Sequence, residues 1–350
     1  MSDKQNVPIL AHRSNTLRYE DGQVIILNRR KLPWETEYIT CSTYEEVARA
    51  IELMIIQGAP PLSYAAGYGL ALAARSVRGS SPEKVIKALR QAAERMARTR
   101  PTGSDLWYML QDLLDLAEKA IEGGEDVEAS IVGHVTCQMT RGDEIAEACG
   151  KNAADLLVDG DRILTHCFAG AAMIWMLVHA LRQGKKIELF ATETRPYLQG
   201  ARLLASSAVQ LGVPVTLVTD GMPGYLMYRG MVTKFVTTAD IITLDGHIAN
   251  KVGTFQYAMV AQHMGIPYFV LGYGGPDPRA KGVEDITIEE RDPQEVLECL
   301  GKRTTIEGVS AYYPAFDITP PNYVSAVITD RGVFPATLVH KYLGNEFTLH

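Results

Sequence analysis

Apolar and polar positions follow two different patterns along this chain. In the first forty residues, short extended stretches such as QVIILN and TEYITC are broken by EDG and KLPWE, which predicts a small unit of strands. The pattern then becomes helical, starting with TYEEVARAIELMI, and Pro60 and Pro61 interrupt it before LSYAAGYGLALAA resumes it. The helices predicted after that point span residues 82–97, 105–121 and roughly 128–157.

The second part of the chain alternates strand and helix patterns, with short loops between them. The predicted strands are ILTH, IELFA, VTLVT, TKFVT and PYFVL, with helical patterns after Gly170, Leu198, Met222 and Gly253 and a final extended stretch SAVITDRGVF. Such alternation is typical of a parallel, doubly wound sheet. We therefore predict an α/β fold in which residues 1–127 form a small strand unit plus a helical domain. Residues 128–350 are predicted to form a Rossmann-like α/β catalytic domain.

Composition narrows the class of protein. The 350 residues are 47% hydrophobic and 21% charged, which is ordinary for a globular chain. The formal charge of −7 argues against a nucleic-acid partner and favours a small-molecule ligand. The first residues lack the basic and apolar regions of a signal peptide, and no stretch reaches the ~18 uninterrupted apolar residues of a membrane span, so we expect a cytoplasmic protein without membrane partners. The five cysteines form no CxxC pair and no metal-ligand spacing, so we expect reduced thiols and no metal site.

Chemically useful side chains follow three of the predicted strands. The loop ETRPYLQGAR, from Glu193 to Arg202, lies between the strand IELFA and a helix pattern. The strands ILTH and TKFVT lead to Cys167 and Asp240 in the same way. Because ligands of parallel α/β sheets bind outside the carboxyl ends of the strands, we expect these loops to converge on one site.

Cys167 and Asp240 are the sharpest candidates for chemistry. A thiol at the start of a helix has a lowered pKa, although a buried structural cysteine is an equally plain interpretation of Cys167. The neighbouring His166 would point to the opposite face of a strand, so a Cys-His dyad is not expected. Asp240 is enclosed by apolar sequence, which predicts a raised pKa and a capacity to donate a proton. Its alternative is an Asx turn or a helix cap.

Three loops contain groups that suit an anion. ANKVGT supplies Asn250, Lys251 and a glycine at the start of a helical pattern, which are the parts of a phosphate site or of an ordinary surface turn. In QGAPP, Gly58 allows close approach of a ligand to the backbone. In RPTGSD, Arg100 offers a guanidinium that can bind a phosphate through two hydrogen bonds. Both loops could equally do no more than separate helices. GYGG lacks the GxGxxG spacing, and neither a P-loop nor HExxH is present.

Together these motifs resemble the methylthioribose-1-phosphate isomerase family, aldose-ketose isomerases related to the regulatory subunits of translation initiation factor 2B. The resemblance covers nearly the whole chain, and ETRPYLQGAR and ANK.GT are its most specific parts. The other matching stretches are IIQGAPPLSYAAGYGLALAA, RPTGSDLWYML, ILTHCFAGA, ADIITLDGHIANKVGTFQYA, ITIEERDP and YYPAFDITPPNYVSAVITDRGV. The resemblance implies a homodimeric enzyme that acts on a sugar phosphate without a cofactor.

The resemblance also implies roles for individual residues. Cys167 and Asp240 are the implied catalytic pair. Gln57 stands where the family usually has arginine, which removes one phosphate-facing charge and costs roughly 1.5–3 kcal/mol, or about ten- to 150-fold in affinity. Phe168 and Asp105 also depart from the usual pattern and should reshape the pocket. The implied substrate-binding residues are Gln57, Gly58, Ala59, Arg100, Gln199, Asn250 and Lys251.

The expected reaction converts 5-methylthioribose 1-phosphate to 5-methylthioribulose 1-phosphate, a step of methionine salvage. The anomeric phosphate prevents spontaneous ring opening, so Asp240 would protonate the ring oxygen and Cys167 would assist hydrogen transfer from C2 to C1, through an enediolate or a hydride shift. A paralogue acting on 5-deoxyribose 1-phosphate is the nearest alternative, because one small apolar group is worth only ~1–3 kcal/mol in a pocket. Ribose 1,5-bisphosphate is a less expected substrate, because its second phosphate would require more basic residues. A non-catalytic sugar-phosphate sensor or scaffold is the alternative from another class.

Overall fold

The structure, a computed structural model, describes residues 7–100 and 104–344. Its contacts divide the chain into two compact units. The first, here the N-terminal unit, is His12–Asp143. The second, here the C-terminal unit, combines Met1–Ala11 with Glu144–His350. Among the described residues, no helix is long and apolar enough to cross a membrane.

The N-terminal unit joins a small antiparallel sheet to a group of helices, as predicted. Thr43 and Glu46 form a reciprocal capping box that starts the first helix. Pro60 and Pro61 occupy the first turn of the second helix, where a missing backbone N–H costs no hydrogen bond, so they start the helix that follows. The sheet has the order β1 (Leu17–Glu20), β2 (Gln23–Leu27), β3 (Tyr38–Cys41), and the helices are α1 (Tyr44–Glu52), α2 (Ala59–Ser76), α3 (Pro82–Ala97), α4 (Ser104–Gly123) and α5 (Val127–Asp155).

Helix α5 is continuous through the point where the two units meet in the sequence. Ile131 and Val135 belong to the apolar core of the N-terminal unit, whereas Cys149 and Ala153 belong to a core of the C-terminal unit. The contacts therefore change partners after Asp143, inside the helix, and not near the predicted residue 127. A boundary inside an unbroken helix leaves no Gly, Pro or loop pattern to mark it in the sequence.

The C-terminal unit is built on a seven-stranded sheet with the order β15-β14-β10-β7-β4-β5-β6. Every neighbouring pair in it is parallel except β14 and β15, which form an antiparallel hairpin. The predicted doubly wound α/β fold is thus confirmed. The strands of this unit, numbered in chain order, are β4 (Arg162–Thr165), β5 (Glu188–Thr192), β6 (Val215–Val218), β7 (Lys234–Thr238), β8 (Ile241–Ile242), β9 (Ile248–Lys251), β10 (Tyr268–Leu271), β11 (Glu298–Cys299), β12 (Lys302–Arg303), β13 (Phe316–Thr319), β14 (Ala326–Thr329) and β15 (Gly332–Phe334).

Both faces of the large sheet are covered by apolar packing. Successive residues of a strand point to opposite faces, and Ile163 and Leu164 of β4 accordingly belong to two separate buried clusters. The same division separates Val236 from Phe235 on β7. The helices of this unit are α6 (Gly170–Arg182), α7 (Ser206–Gln210), α8 (Pro223–Tyr228), α9 (Thr254–His263) and α10 (Gln294–Leu297), with a π-helical turn at Gly200–Ala205.

A second, three-stranded sheet with the order β13-β9-β8 lies after β7 in the chain and was not predicted. The pairing is antiparallel and places Lys251 opposite Phe316 and Asn250 opposite Asp317. All four residues of β9 are buried, so the strand lacks the alternation of apolar and polar residues that would have marked it.

Candidate active site

The winding of the large sheet reverses between β4 and β7. The chain proceeds from β4 to β5 and β6 on one side, and from β7 to β10 and β14 on the other. Adjacent strands at such a reversal leave a crevice at their carboxyl ends. Cys167 follows β4 and Asp240 follows β7, so the structure brings the two predicted catalytic residues to this crevice. The two are close enough for the charge of Asp240 to raise the pKa of the Cys167 thiol.

Cys167 sits in an unusual backbone conformation, with φ at 67°. A non-glycine residue in this left-handed region is strained by about 1–3 kcal/mol, and such residues cluster at functional sites. Its backbone N–H donates to Thr194 Oγ1 at 2.9 Å. Burial raises the pKa of the half-buried thiol to about 11, an effect that Asp240 adds to and that Lys251 opposes. The predicted lowering of this pKa is therefore wrong, since α6 starts only at Gly170 and burial dominates.

Asp240 has the raised pKa that the sequence predicted. The residue is exposed to solvent, yet the protein atoms crowded around its carboxyl remove part of its hydration, and this desolvation raises the pKa of the carboxyl to about 6. Lys251 and Arg291 pull this pKa down, while Glu289 pushes it up. The backbone N–H of Asp240 donates to Ala249 O at 2.9 Å, which ties the residue to β9. A carboxyl that titrates near neutrality can both accept and donate a proton under physiological conditions.

Asn250 and Lys251 lie side by side on β9 and are both buried. Asn250 Nδ2 donates to Thr254 Oγ1 at 3.1 Å, at the start of α9. The Lys251 Nζ lies 3.5 Å from Tyr313 Oη, and burial lowers the pKa of this ammonium. A buried ammonium next to Asp240 and the thiol provides the positive charge that an anionic ligand requires.

The loop after β5 contains Gln199, which is buried at the start of the π-helical turn. The same loop is anchored by Asp220, whose carboxylate accepts from the backbone N–H groups of Thr194 and Arg195, each at 2.8 Å. The Arg195 guanidinium donates to the carbonyl oxygens of Val296 and Glu298, so it links this loop to the segment around α10. Of the Glu, Arg and Gln noted in this motif, the arginine thus has a structural role.

Four of the predicted binding residues belong to the N-terminal unit. Gln57 is buried, with Nε2 donating to Met54 O at 3.1 Å and Oε1 making no hydrogen bond. Gly58 has φ at 94°, which favours glycine, and caps α2, of which Ala59 is the first residue. Arg100 lies just beyond α3 and contacts the sulfur of Met54. The next three residues of RPTGSD, 101–103, lie outside the described residues.

A chain of hydrogen bonds that the sequence did not reveal fixes the backbone of Cys167. His166 Nε2 lies 2.9 Å from Val252 O, which can only accept, so Nε2 carries the proton and Nδ1 accepts from Thr192 Oγ1 at 2.6 Å. Thr192 Oγ1 in turn lies 3.1 Å from Thr194 Oγ1, the acceptor of the Cys167 N–H. Burial lowers the pKa of His166 to about 4, which keeps the ring neutral in this network.

The sequence and the fold are similar to those of known proteins. The sequence model of the Initiation factor 2 subunit family matches residues 55–336. The chain belongs to this family. The structure of 5-methylthioribose 1-phosphate isomerase from Pyrococcus horikoshii OT3 superposes with a TM-score of 0.80 at 36% identity, covering 94% of each chain. That of translation initiation factor eIF-2B, subunit delta, from A. fulgidus gives 0.78 at 34% identity, covering 95% of this chain and 99% of that one.

Two curated relatives carry the name methylthioribose-1-phosphate isomerase. Methylthioribose-1-phosphate isomerase from Thermotoga maritima is 40% identical over 332 residues, 92% of this chain and 95% of that protein. The protein of the same name from Desulforamulus reducens is 38% identical over 328 residues, 91% of this chain and 95% of that protein. The family expected from the sequence is therefore confirmed.

Proposed function

We propose that this protein is a methylthioribose-1-phosphate isomerase, an aldose-ketose isomerase that converts 5-methylthioribose 1-phosphate to 5-methylthioribulose 1-phosphate. The product lies on the route of methionine salvage. The observation that carries the proposal is the pairing of Asp240, whose carboxyl has a pKa of about 6, with the Cys167 thiol at the crevice of the sheet. The full-length relatives of the same name support it.

Asp240 is the proposed acid and base. The protonated carboxyl donates to the ring oxygen as the C1–O bond to that oxygen breaks, which opens the ring that the anomeric phosphate otherwise keeps closed. With a pKa of about 6, the carboxyl exchanges its proton readily near neutral pH. The proton stays on the former ring oxygen as a hydroxyl, and the ionised carboxylate takes up the proton that the C2 hydroxyl loses when C2 becomes a carbonyl. Lys251 opposes the rise in this pKa and so keeps that ionised form accessible.

Cys167 is proposed to act as a neutral thiol. Because its pKa is about 11, thiolate is scarce near neutral pH, and the sulfur would stabilise the migrating hydrogen or its electron pair as a polarisable S–H group. This favours the stabilising role over the role of a general base during transfer from C2 to C1. The hydrogen bond from its backbone N–H to Thr194 holds the residue in the conformation that this role needs.

The substrate-binding set is proposed from the resemblance and, for Gln57, Gln199, Asn250 and Lys251, also from their burial. In the C-terminal unit, Lys251 would bind the phosphate by charge, and Gln199 and Asn250 would bind polar groups of the sugar. In the N-terminal unit, Gln57, Gly58, Ala59 and Arg100 are proposed as further substrate contacts. The homodimer expected from the sequence also stays a prediction, as does the cytoplasmic location. Sedimentation that found only monomer at micromolar concentration would contradict the dimer.

The activity is tested by following C1 and C2 of 5-methylthioribose 1-phosphate by NMR. We expect the ketose with the wild-type protein and almost none with Cys167→Ser or Asp240→Asn. Cys137→Ser and Asp112→Asn, at exposed positions of the N-terminal unit, are matched controls that should retain full turnover. Near-wild-type turnover by both active-site variants would contradict the assignment. The same measurement with 5-deoxyribose 1-phosphate and ribose 1,5-bisphosphate ranks the substrates, and saturable binding without conversion of any of them would favour the sensor.

A further inference from the structure

Two cations at the crevice lie over the same two aromatic rings. Lys251 Nζ is 5.5 Å from the centroid of the Tyr313 ring and 5.1 Å from that of Phe316. Arg291 Cζ is 6.0 Å and 5.6 Å from the same two centroids. A cation within about 6 Å of a ring centroid is attracted by the ring. The ring pair therefore couples the position of Lys251, a proposed phosphate contact, to that of Arg291, which has no role in the proposed reaction.

Arg291 is held firmly in this place. Its guanidinium makes a bidentate pair with Glu289, in which Nε donates to Oε1 and Nη2 donates to Oε2, both at 3.0 Å. Both side chains are mostly buried, with 13% and 18% of their surfaces exposed. A fork-to-fork pair of this kind fixes orientation as well as distance.

The backbone places this ion pair against the small sheet. Arg291 N donates to Tyr313 O at 3.0 Å, and Ala315 N donates to Glu289 O at 2.8 Å. The segment 313–315 continues directly into β13, which pairs with β9. The ion pair and Lys251 are thus both attached to β13. The ion pair is attached through backbone hydrogen bonds to residues 313–315, which lead into β13, and Lys251 is attached through the pairing of β9 with β13.

The ion pair acts electrostatically on Asp240. Burial is the largest cause of the raised pKa of this carboxyl, and the charged groups that face it are Lys251, Arg291 and Glu289. The two cations lower the pKa and Glu289 raises it. The members of the ion pair thus have opposite effects on the proposed acid and base.

Arg291 acts on the Cys167 thiol as well. Burial raises the pKa of the thiol most, Asp240 raises it further, and Lys251 and Arg291 lower it. Tyr313 also interacts electrostatically with the thiol, because a negative charge on Cys167 raises the pKa of the Tyr313 phenol.

We propose that Arg291 is a positioning residue of the active site, which is held by Glu289 and which fixes the Tyr313 and Phe316 rings against which Lys251 lies, while offsetting negative charge at Asp240. Its role in turnover rests on the proposed isomerase function. Its electrostatic effect on the crevice does not, because that effect follows from the ion pair and the side chains alone.

The two halves of the ion pair make opposite predictions for the pH profile of kcat/KM. In Arg291→Gln, the loss of a cation leaves Glu289 facing Asp240, so the pKa near 6 should rise by about one unit. In Glu289→Gln it should fall. A purely structural role for the pair would lower activity in both variants without opposite shifts. Arg291→Lys keeps the charge but loses the fork, so we expect the wild-type pH profile with a raised KM.

The rate of alkylation of Cys167 by iodoacetamide tests the same electrostatics without substrate. At one mildly alkaline pH, a rise of one unit in the thiol pKa lowers the thiolate fraction and hence the rate about tenfold. We expect slower alkylation, by up to this factor, in Arg291→Gln and near-wild-type rates in Arg291→Lys, with peptide mapping to follow each thiol. Exposed Cys137 in the same digest should react equally in all variants. Arg279→Gln, which breaks another bidentate pair of this unit, is the matched control.

The outcomes separate the two proposals. Unchanged alkylation of Cys167 in Arg291→Gln, or pH shifts of the same sign in both glutamine variants, would overturn the role of Arg291. If the wild-type protein failed to isomerise the sugar but the alkylation differences appeared, the isomerase proposal would fail and the electrostatic role would stand. Thermal unfolding of each variant identifies any that fails to fold, and Arg291→Lys then decides by whether it restores the wild-type alkylation rate.

Discussion

Replacing Thr194 by valine tests the hydrogen-bond chain that fixes Cys167. Valine has nearly the same shape, so the substitution removes the hydroxyl and little else. The Cys167 N–H then loses its acceptor at 2.9 Å, and Thr192 Oγ1 loses its neighbour at 3.1 Å. Leaving a buried donor without a partner costs about 1–3 kcal/mol. We therefore expect the free energy of unfolding to fall by that amount.

Thr165→Val is the matched control for this substitution. Thr165 lies at the end of β4, is as fully buried as Thr194, and its Oγ1 makes no hydrogen bond. Removing an unpaired buried hydroxyl should leave the stability unchanged or raise it slightly, because the desolvation cost of the hydroxyl is removed as well. The two variants thus make the same chemical change at equally buried sites. We expect the free energy of unfolding to fall in Thr194→Val and to stay the same or rise slightly in Thr165→Val.

The assay is thermal unfolding, followed by turnover of the sugar phosphate. Each kcal/mol lost should lower Tm by about 2 °C or less in a chain of 350 residues, because the shift decreases with chain length. Thr194→Val should also lower kcat, because Cys167 is no longer held at its strained φ of 67°. If Thr194→Val and Thr165→Val had the same Tm and the same kcat, the hydrogen-bond chain would have no role in placing the thiol.

Further predictions concern the carboxyl of Asp240, the thiol of Cys167 and the loop after β5. The pH profile of kcat/KM should show a group that titrates near pH 6, because Asp240 loses its proton there, and Asp240→Asn should abolish that transition in whatever activity remains. Alkylation of Cys167 should keep rising with pH up to about 11 and show no plateau near neutrality; a plateau there would indicate a stabilised thiolate. Gly200→Ala would place a Cβ in a clash with Thr192 O, so the loop after β5 must shift, and both Tm and turnover should fall. Gly212→Ala has no atom within 4 Å of its added Cβ but has a positive φ, which Gly200 lacks, so it shows the effect of backbone strain without a clash.

The placement of Cys167 and Asp240 could be predicted because the fold class alone determines it. Once a parallel sheet is recognised, the residues that follow its strands must share one edge, whatever the strand order. The raised pKa of Asp240 was predictable for the same reason, since an acid among apolar strands loses hydration. The thiol was misjudged because its pKa depends on where α6 begins and on how deeply the loop is buried, and neither is encoded in the local sequence.

The residues that the sequence did not reveal depend on contacts between distant segments. His166 matters through the carbonyl of Val252, and Arg291 matters through rings at Tyr313 and Phe316. Glu289 and Arg291 lie in a stretch without regular periodicity, so pattern analysis assigned them no face or edge. Only the pairing of that stretch with residues 313–315 shows that their side chains reach the crevice.

The reversal of the sheet between β4 and β7 has a consequence for the order in which the protein folds. Cys167 and Asp240 are separated along the chain by β5 and β6, which pair on the far side of β4. Their meeting requires a loop that encloses both of those strands to close, and such non-local pairings are slow because chain entropy is lost before the contact forms. A nascent chain that has emerged from the ribosome only as far as β6 can form part of the sheet but carries an incomplete catalytic pair. Protection of the Cys167 thiol during refolding would therefore report when β7 docks.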